Sequence, residues 1–569
     1  MIDRTIDTDV LIIGGGGGGM RAAIAAHDAG ARVLVLSKGI VGKSGLTQTA
    51  VTGFQAAFGC VDDRDNADIH FQDSMRGGYG LADPALVRTY TGEAVEAVED
   101  MEKFGVRFDR DENGVMIQRK LDSSQTYPRS IKKGDSLGTP IMQVLRRQVK
   151  QRGIEQHHEM YVTKLIVGDG RIAGAVALDF RTGELIAIKA GSVIMATGGA
   201  GELFPVNSNT PDSTGDGLML ALRAGAELVD LEFILMLGHA MLYPEAVRGM
   251  LFTFQYLLPK GARGPFNNED EAFLARYDPE GSDNPARHIY ARAIFGEVRA
   301  GRGTPHGGVW FDPGSVPLEV LQESLPSQTK YLQSFGIDVS KPFEVGVAAH
   351  YMCGGIRIDC QAESTVPGLF AVGECTGGPH GAARVGGNSL TEILVFGKRA
   401  GRFAAEAARA MTGKRTGFDE KEAAAEAARV LALLNRDGVG RRPSDIKGDI
   451  QKAMNDFVGV VRNDEGLGAA IGIFDGLAAG DLPAMATATR DRIANYDWIE
   501  ALEVQAMVPL AGMIAAAARR RTESRGAHFR EDHPDTNDAD WLRNIRVNRD
   551  GEDIAFEIVP VAADMAEVA

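Results

Sequence analysis

Residues 8–38 read TDVLIIGGGGGGMRAAIAAHDAGARVLVLSK. TDVLII is a short β-rich apolar run, six glycines follow from Gly14 to Gly19, MRAAIAAHDAG has helical spacing, and ARVLVLSK is a second buried strand. Strand, glycine turn, helix and strand within about thirty residues form the βαβ context that lifts a G-x-G-x-x-G match above chance. Gly14 would allow the tight turn, Gly16 the close approach of backbone to a pyrophosphate, and Gly19 the close packing of helix on strand. An acidic residue commonly ends the second strand of a simple NAD site, but Ser37 and Lys38 stand there. Two more glycine clusters follow strand-like runs, Ala196-Thr197-Gly198-Gly199 and Ala371-Val372-Gly373-Glu374. Glu374 could serve a ribityl or ribose hydroxyl. A single nucleotide contacted by three distant glycine turns implies a long cofactor, hence a dinucleotide such as FAD.

Outward from these clusters, the chain is acidic: 61 Lys and Arg against 77 Asp and Glu give a net charge of −16 over 569 residues, which argues against a nucleic-acid partner. Glycine makes up 70 residues, about 12% against an average of ~7%. Four dispersed cysteines (Cys60, Cys353, Cys360, Cys375) show no CxxC spacing and fit a reduced, cytoplasmic setting. The opening MIDRTIDTDV lacks a signal-peptide pattern, and no uninterrupted apolar run approaches the ~18 residues of a membrane span, so no direct membrane insertion is expected. Residues 83–104 and 138–152 read as amphipathic helices, the first with Asp83 as a cap and Pro84 at its first position. Residues 231–350 read as a separate inserted domain, 416–436 and 450–520 as helical, and the charged tail from 521 ends in a strand pair. His157, His158 and Glu159 point to different sides of an extended segment, so no metal site is expected.

The succession IIGGGGGGMRAA, ATGG, STGDG (213–217), AAHYMCGGI (348–356), LFAVGEC and HGAARVGGNSL (380–390), with RTESRGAHFREDHPDTNDADWL (521–542) in the tail, resembles the flavoprotein subunit of succinate dehydrogenases and fumarate reductases. The wider family includes L-aspartate oxidase and the flavin subunit of adenylylsulfate reductase. The resemblance implies an α/β fold: a Rossmann-like FAD-binding domain split by an inserted α+β capping domain, then a helical and a small C-terminal domain. The corresponding segments are 1–230 and 353–415 for FAD, 231–352 for the cap, 416–520 and 521–569.

Residue by residue, the resemblance implies cofactor contacts by Gly14, Gly16, Gly19, Ser37, Lys38, Ser44, Thr49, Gly53, Thr197, Gly198, Asp216, Glu374, Ser389 and Leu390. Catalysis in the family is hydride transfer between flavin N5 and one carbon of a C=C bond next to a carboxylate, with an arginine exchanging the proton at the other carbon. Arg384 and His350 match the carboxylate anchors and Arg287 the proton-shuttling arginine, with His288 in place of the usual aspartate. Outside that motif frame an arginine in a glycine loop is more often a surface ion-pair partner, and a lone histidine more often a core side chain. Electrons would come from a separate iron-sulfur subunit, which could hold the chain peripherally at the inner membrane face.

Three departures from the pattern matter. The histidine that tethers FAD covalently in many members is absent from KSGLTQTAVTG (43–53), where Gly45 and Leu46 stand, so FAD is expected to be non-covalent and the reducing direction favoured. The trio that grips the second carboxylate is replaced by Leu237, Gly238 and His239. The relay carboxylate before an arginine becomes Lys260 in Pro259-Lys260-Gly261-Ala262-Arg263, which places Lys260 and Arg263 in the catalytic frame with altered chemistry. The expected function is therefore FAD-dependent reduction or oxidation of a bond adjacent to one carboxylate or acyl group, on a substrate other than a four-carbon dicarboxylate. Ordinary fumarate reduction, and an electron-relay flavoprotein without its own substrate, stand as alternatives.

Overall fold

The computed structural model describes residues 1–51, 53–121, 124–278, 286–411, 417–436, 440–551 and 553–561. Strand Arg4–Ile13 sits inside a seven-stranded sheet, parallel to Val33–Ser37 on one side (Val10 opposite Val33) and to Leu185–Met195 on the other (Ile13 opposite Met195). Val10 to Ile13 are buried, as expected for a parallel strand covered on both faces. Leu185–Met195 is long enough to pair, along its second edge, first with Arg171–Asp179 and then with Leu369–Ala371. The segment beyond the inserted domain thus returns to complete the same sheet. Helix Gly17–Asp28 follows the glycine turn, and helix Asn388–Ala410 packs against it.

The inserted region builds a four-stranded antiparallel sheet in the order Ile234–Met241, Phe343–Met352, Val309–Asp312, Arg263–Phe266. Phe252, Phe254, Phe273, Tyr290, Phe311 and Phe343 form a core of its own. Its entering and leaving strands pair with each other, Ile234 opposite Met352 and Leu237 opposite Ala348, so both connections to the glycine-turn domain lie side by side. At a second junction, the carboxylate of Asp135 accepts hydrogen bonds from the backbone N–H of Ser327 (3.0 Å) and Gln328 (2.9 Å) at the start of cap helix Pro326–Ser334. An anion there satisfies otherwise unpaired amides and meets the positive end of the helix dipole.

The expected helix over 83–104 is two helices, Pro84–Gly92 and Ala94–Phe104, the first capped by Asp83 accepting from Ala85 N (2.9 Å). Gly138–Gln151 and Glu420–Ala432 lie where helices are expected, although residues 412–416, with the boundary drawn at 415/416, lie outside the described residues. Helices over Asp464–Ala484 and Tyr496–Arg520 are long and apolar enough by composition to cross a membrane, which the reading of uninterrupted apolar runs missed. In Tyr496–Arg520 the apolar positions are covered by protein: Trp498, Leu502, Met507, Leu510 and Ile514 are buried.

The small C-terminal domain shares a sheet with the rest of the chain. Strand Arg543–Asp550 pairs with Leu228–Val229 and with Asp553–Pro560, extending a five-stranded sheet that begins before the inserted domain. In the charged stretch before it, Arg521, Glu523, Arg525, His528 and Arg530 are buried, whereas 531–536 are exposed. Arg521 donates to Glu232 Oε1 (2.7 Å), Glu523 Oε1 (3.0 Å) and the carbonyls of Trp541 and Arg543, with both carboxylates fully enclosed. Removing one partner of such a pair strands the others in a low-dielectric interior. Arg521→Ala is expected to destabilise the protein by about 3–5 kcal/mol, read as a lower urea midpoint by tryptophan fluorescence. An unchanged midpoint would show that the network does not hold the tail to the core.

Candidate active site

The glycine clusters and the cap meet at a cavity of about 700 Å³, within the range of small-molecule and cofactor sites. Its floor is the turn after strand Arg4–Ile13. Gly14 has φ +118°, and a Cβ there would lie 2.0 Å from the carbonyl oxygen of Ala196, so this turn and the second glycine cluster touch through backbone. Gly16 caps helix Gly17–Asp28 without a side chain, and a Cβ added to it would meet nothing within 4 Å. The helix N-terminus on the cavity wall has no capping side chain of its own, only Thr47 Oγ1 accepting the Gly17 N–H (3.2 Å), and is suited to a phosphate. Gly19 does not line the cavity. A Cβ there would lie 2.0 Å from Gly14 O, so its part is to pack helix on strand, not to contact pyrophosphate.

Ser37, Lys38, Ser44, Thr49, Thr197, Gly198, Asp216, Glu374, Ser389 and Leu390 also line the cavity. Gly53 does not: a Cβ there would fall 2.0 Å from Ser130 Oγ, so it serves packing beside the cavity. Lys38 is not a free cation for the adenosine side. Its Nζ reaches Thr214 Oγ1 (2.7 Å), Glu503 Oε1 (2.8 Å) and Asp216 Oδ1 (3.3 Å). Burial alone would lower this ammonium, and the Asp216 and Glu503 carboxylates more than reverse that, leaving it raised. Thr197 Oγ1, Asn209 Oδ1 and Thr210 Oγ1 are buried on the wall without hydrogen-bond partners among the described residues. A helix start with glycine as its cap, a glycine floor and orphaned hydroxyl and amide groups fit a dinucleotide. Burial pushes the Glu374 carboxyl up to about 7 and that of Glu392 up to about 8. Glu374 accepts the Met352 N–H (3.0 Å) and Glu392 the Gly373 N–H (3.0 Å).

Arg384, His350, Arg287 and Leu237 line another part of the same cavity. Arg384 is 6% exposed, its guanidinium lies 4.2 Å from the centre of the Tyr351 ring, and it donates to His350 Nε2 (3.2 Å) and Val385 O (3.3 Å). Among the described residues no carboxylate lies within ion-pair distance of it, and its Nε has no partner. A guanidinium is an obligate donor, so His350 Nε2 accepts from it, and Nδ1–H donates to Ser208 Oγ (2.8 Å). Burial first, then Arg384, Arg287 and His239, hold this imidazole well below its usual range, and it is neutral. His350 therefore orients Arg384 in this arrangement, where the sequence suggested a second donor to the substrate. Arg287 opens helix Arg287–Arg299, with Nη2 close to Gly386. His288 faces Tyr79 instead (3.0 Å).

Lys260 and Arg263 are corrections. Both are exposed on the cap surface, Lys260 Nζ bonded to Ser324 Oγ (2.6 Å) and Arg263 paired with Asp270 (2.6 Å), and neither lines the cavity. The short turn Leu258–Lys260 ends at Gly261 with φ +99°, and the lysine at its close stands in solvent. Sequence reasoning missed Ser208, Asn209, Tyr351 and Gln255 on the wall. The first two sit in FPVNSN, which has no glycine cluster and no charge, so nothing local marks it.

Comparison with known proteins gives two family matches, an FAD binding domain over residues 9–390 and a fumarate reductase flavoprotein C-terminal domain over 447–568. Among curated relatives, one subunit of the fumarate reductase (CoM/CoB) of Methanothermobacter marburgensis is 39% identical over 552 residues, 95% of this chain and 97% of that one. Among solved structures, Mycobacterium smegmatis Sdh1 superposes with a TM-score of 0.88 at 35% identity, covering 99% of this chain and 96% of the other. The quinol fumarate reductase flavoprotein of E. coli gives 0.89 at 29% identity, covering 99% of each chain.

Proposed function

The chain belongs to the fumarate reductase and succinate dehydrogenase flavoprotein family, an FAD-dependent oxidoreductase of CH–CH bonds, and from that premise we propose that its substrate carries one carboxylate beside the reacting bond and a second end that is not a carboxylate. The observation that carries this is Arg384. A guanidinium enclosed with no directly paired carboxylate is costly, and a bound carboxylate lowers that cost in bidentate geometry. Leu237, where the family's second grip begins, is apolar and 4% exposed. FAD, when bound along the glycine floor, supplies the two-electron donor or acceptor. The chain's own residues fix the carboxylate at Arg384, keep Arg384 aligned through neutral His350 and Ser208, and hold Arg287 as the source of a proton. Burial of Leu237, Tyr351 and Leu390 keeps this part of the site dry, which strengthens each charge interaction.

FAD is held non-covalently in this reading, since Gly45 and Leu46 offer no nucleophile, and acid precipitation should leave the flavin in the supernatant. The working direction is reduction, with electrons from an iron-sulfur subunit; the Methanothermobacter relative, named as one subunit of its enzyme, supports an assembly of several chains. A second reading, ordinary fumarate reduction, is favoured by that same relative's name. Dye-linked turnover of the purified holoprotein separates the two. The first reading expects kcat/KM for crotonate or monomethyl fumarate to exceed that for fumarate by at least about tenfold. Fumarate as the fastest substrate would remove it and leave the second.

A further inference from the structure

His239 and Gln255 lie on the cap side of the cavity, and the site described above gives them no role. His239, on strand Ile234–Met241, is 4% exposed and stacked on Phe254 with ring centroids 4.6 Å apart; Tyr290 meets it edge-on at 5.0 Å. Its Nε2 is buried with no hydrogen-bond partner among the described residues. Gln255 follows Phe254 in the turn Phe254–Tyr256, and its Oε1 is likewise buried and unpartnered. Both residues line the cavity. A buried polar atom left unpaired costs free energy, so two such atoms on one wall mark a place where a ligand supplies the missing partners.

The wall is rigid. Gln328 accepts the Thr253 N–H (2.9 Å) just before the turn, and its own backbone N–H is held by Asp135 (2.9 Å). Phe254 is clamped between His239 and Phe311, the latter with its centroid 4.8 Å away. Neither group is charged: burial first and then Arg287 push the imidazole down to about 3, and the amide has no charge to give. A second carboxylate would find no direct cation partner in His239, Gln255 or Leu237, whereas the carbonyl oxygen of an ester or amide has less hydration to lose and can accept from the His239 Nε2–H, and an amide N–H can donate to Gln255 Oε1.

We infer that His239 and Gln255 form a neutral hydrogen-bonding subsite on the part of the substrate not held by Arg384, His239 Nε2–H donating to the carbonyl oxygen of an uncharged ester, amide or acyl group and Gln255 Oε1 accepting the N–H of an amide. This rests on the function proposed above. The test compares KM for monomethyl fumarate, which has a carboxylate and an ester carbonyl, with KM for crotonate, which has the carboxylate and a methyl group. In His239→Leu the ratio of the two KM values is expected to rise about tenfold, the worth of one lost hydrogen bond, with kcat less affected. His239→Gln, which restores a neutral donor, should recover most of the ratio. Gln255→Leu, read with the monoamide of fumaric acid in place of the ester because Gln255 Oε1 needs an N–H partner, provides the test where His239→Leu does not fold, with flavin content checking each variant. A ratio unchanged in both leucine variants, or KM values that rise together for the two substrates, overturns the subsite. Absence of turnover with any unsaturated acid in the unmodified holoprotein would instead overturn the proposed function.

Discussion

Replacing Arg384 by alanine is expected to lower kcat/KM for an unsaturated carboxylic acid by roughly 30- to 4,000-fold, the range spanned by truncating one member of a buried charge pair. The free protein encloses this guanidinium against Tyr351 and His350, with the buried carboxyls of Glu374 and Glu392 acting on it only from beyond ion-pair distance, so a bound carboxylate would be its direct partner. Without the side chain, the carboxylate must enter the same apolar surroundings unpaired. Arg384→Lys is expected to recover little, because an ammonium cannot make the planar two-point contact or lie flat on Tyr351. FAD content should be unchanged, since the cavity floor is built from Gly14, Gly16 and the segments around Thr197 and Glu374. Unaltered kcat/KM in Arg384→Ala would move the carboxylate elsewhere and favour an electron-relay role.

Arg287→Ala is expected to act differently, reducing kcat by about 10²- to 10⁴-fold while KM changes far less, as befits loss of a general acid and not of a binding group. Arg287 lines the cavity from the first position of its helix, near Gly386, within electrostatic reach of His239 and His350. An arginine holds its proton so tightly that it needs replenishment from a neighbour. Lys260, the residue in the place of the relay carboxylate, is on the surface and cannot provide it. A rise in KM at constant kcat would make Arg287 a second carboxylate anchor instead.

The FAD-binding core was legible because its signals are local: an apolar run, a glycine turn and a helix adjoin in sequence, and each property needed is one a glycine or a β-branched residue supplies by itself. The C-terminal stretch was not. RTESRGAHFRED carries the composition of a solvated segment, yet Arg521, Glu523, His528 and Arg530 are fully buried, neutralised partly by Glu232 some 289 positions away. No local pattern announces a partner at that separation. The site divides in the same way. Arg384 and His350 stand in glycine-rich motifs whose order is recognisable, and they meet at 3.2 Å. Lys260 and Arg263 matched a motif, but the turn that carries them faces outward. Ser208 and Gln255 matched no motif yet line the cavity, Ser208 because its segment pairs with Ala349 and Gln255 because Phe252, just before its turn, bonds to His239.

The central claim is that this cavity holds FAD against an unsaturated bond whose neighbouring carboxylate is fixed by Arg384. Its most direct test is anaerobic: reduce the flavin of the purified holoprotein, add crotonate, monomethyl fumarate or fumarate, and follow return of the oxidised flavin spectrum in one turnover. The account predicts rapid reoxidation by at least one of the acids carrying a single carboxylate, with formation of the saturated product, and a large slowing in Arg384→Ala. A flavin that stays reduced with every acid while an artificial dye reoxidises it at once would contradict the account.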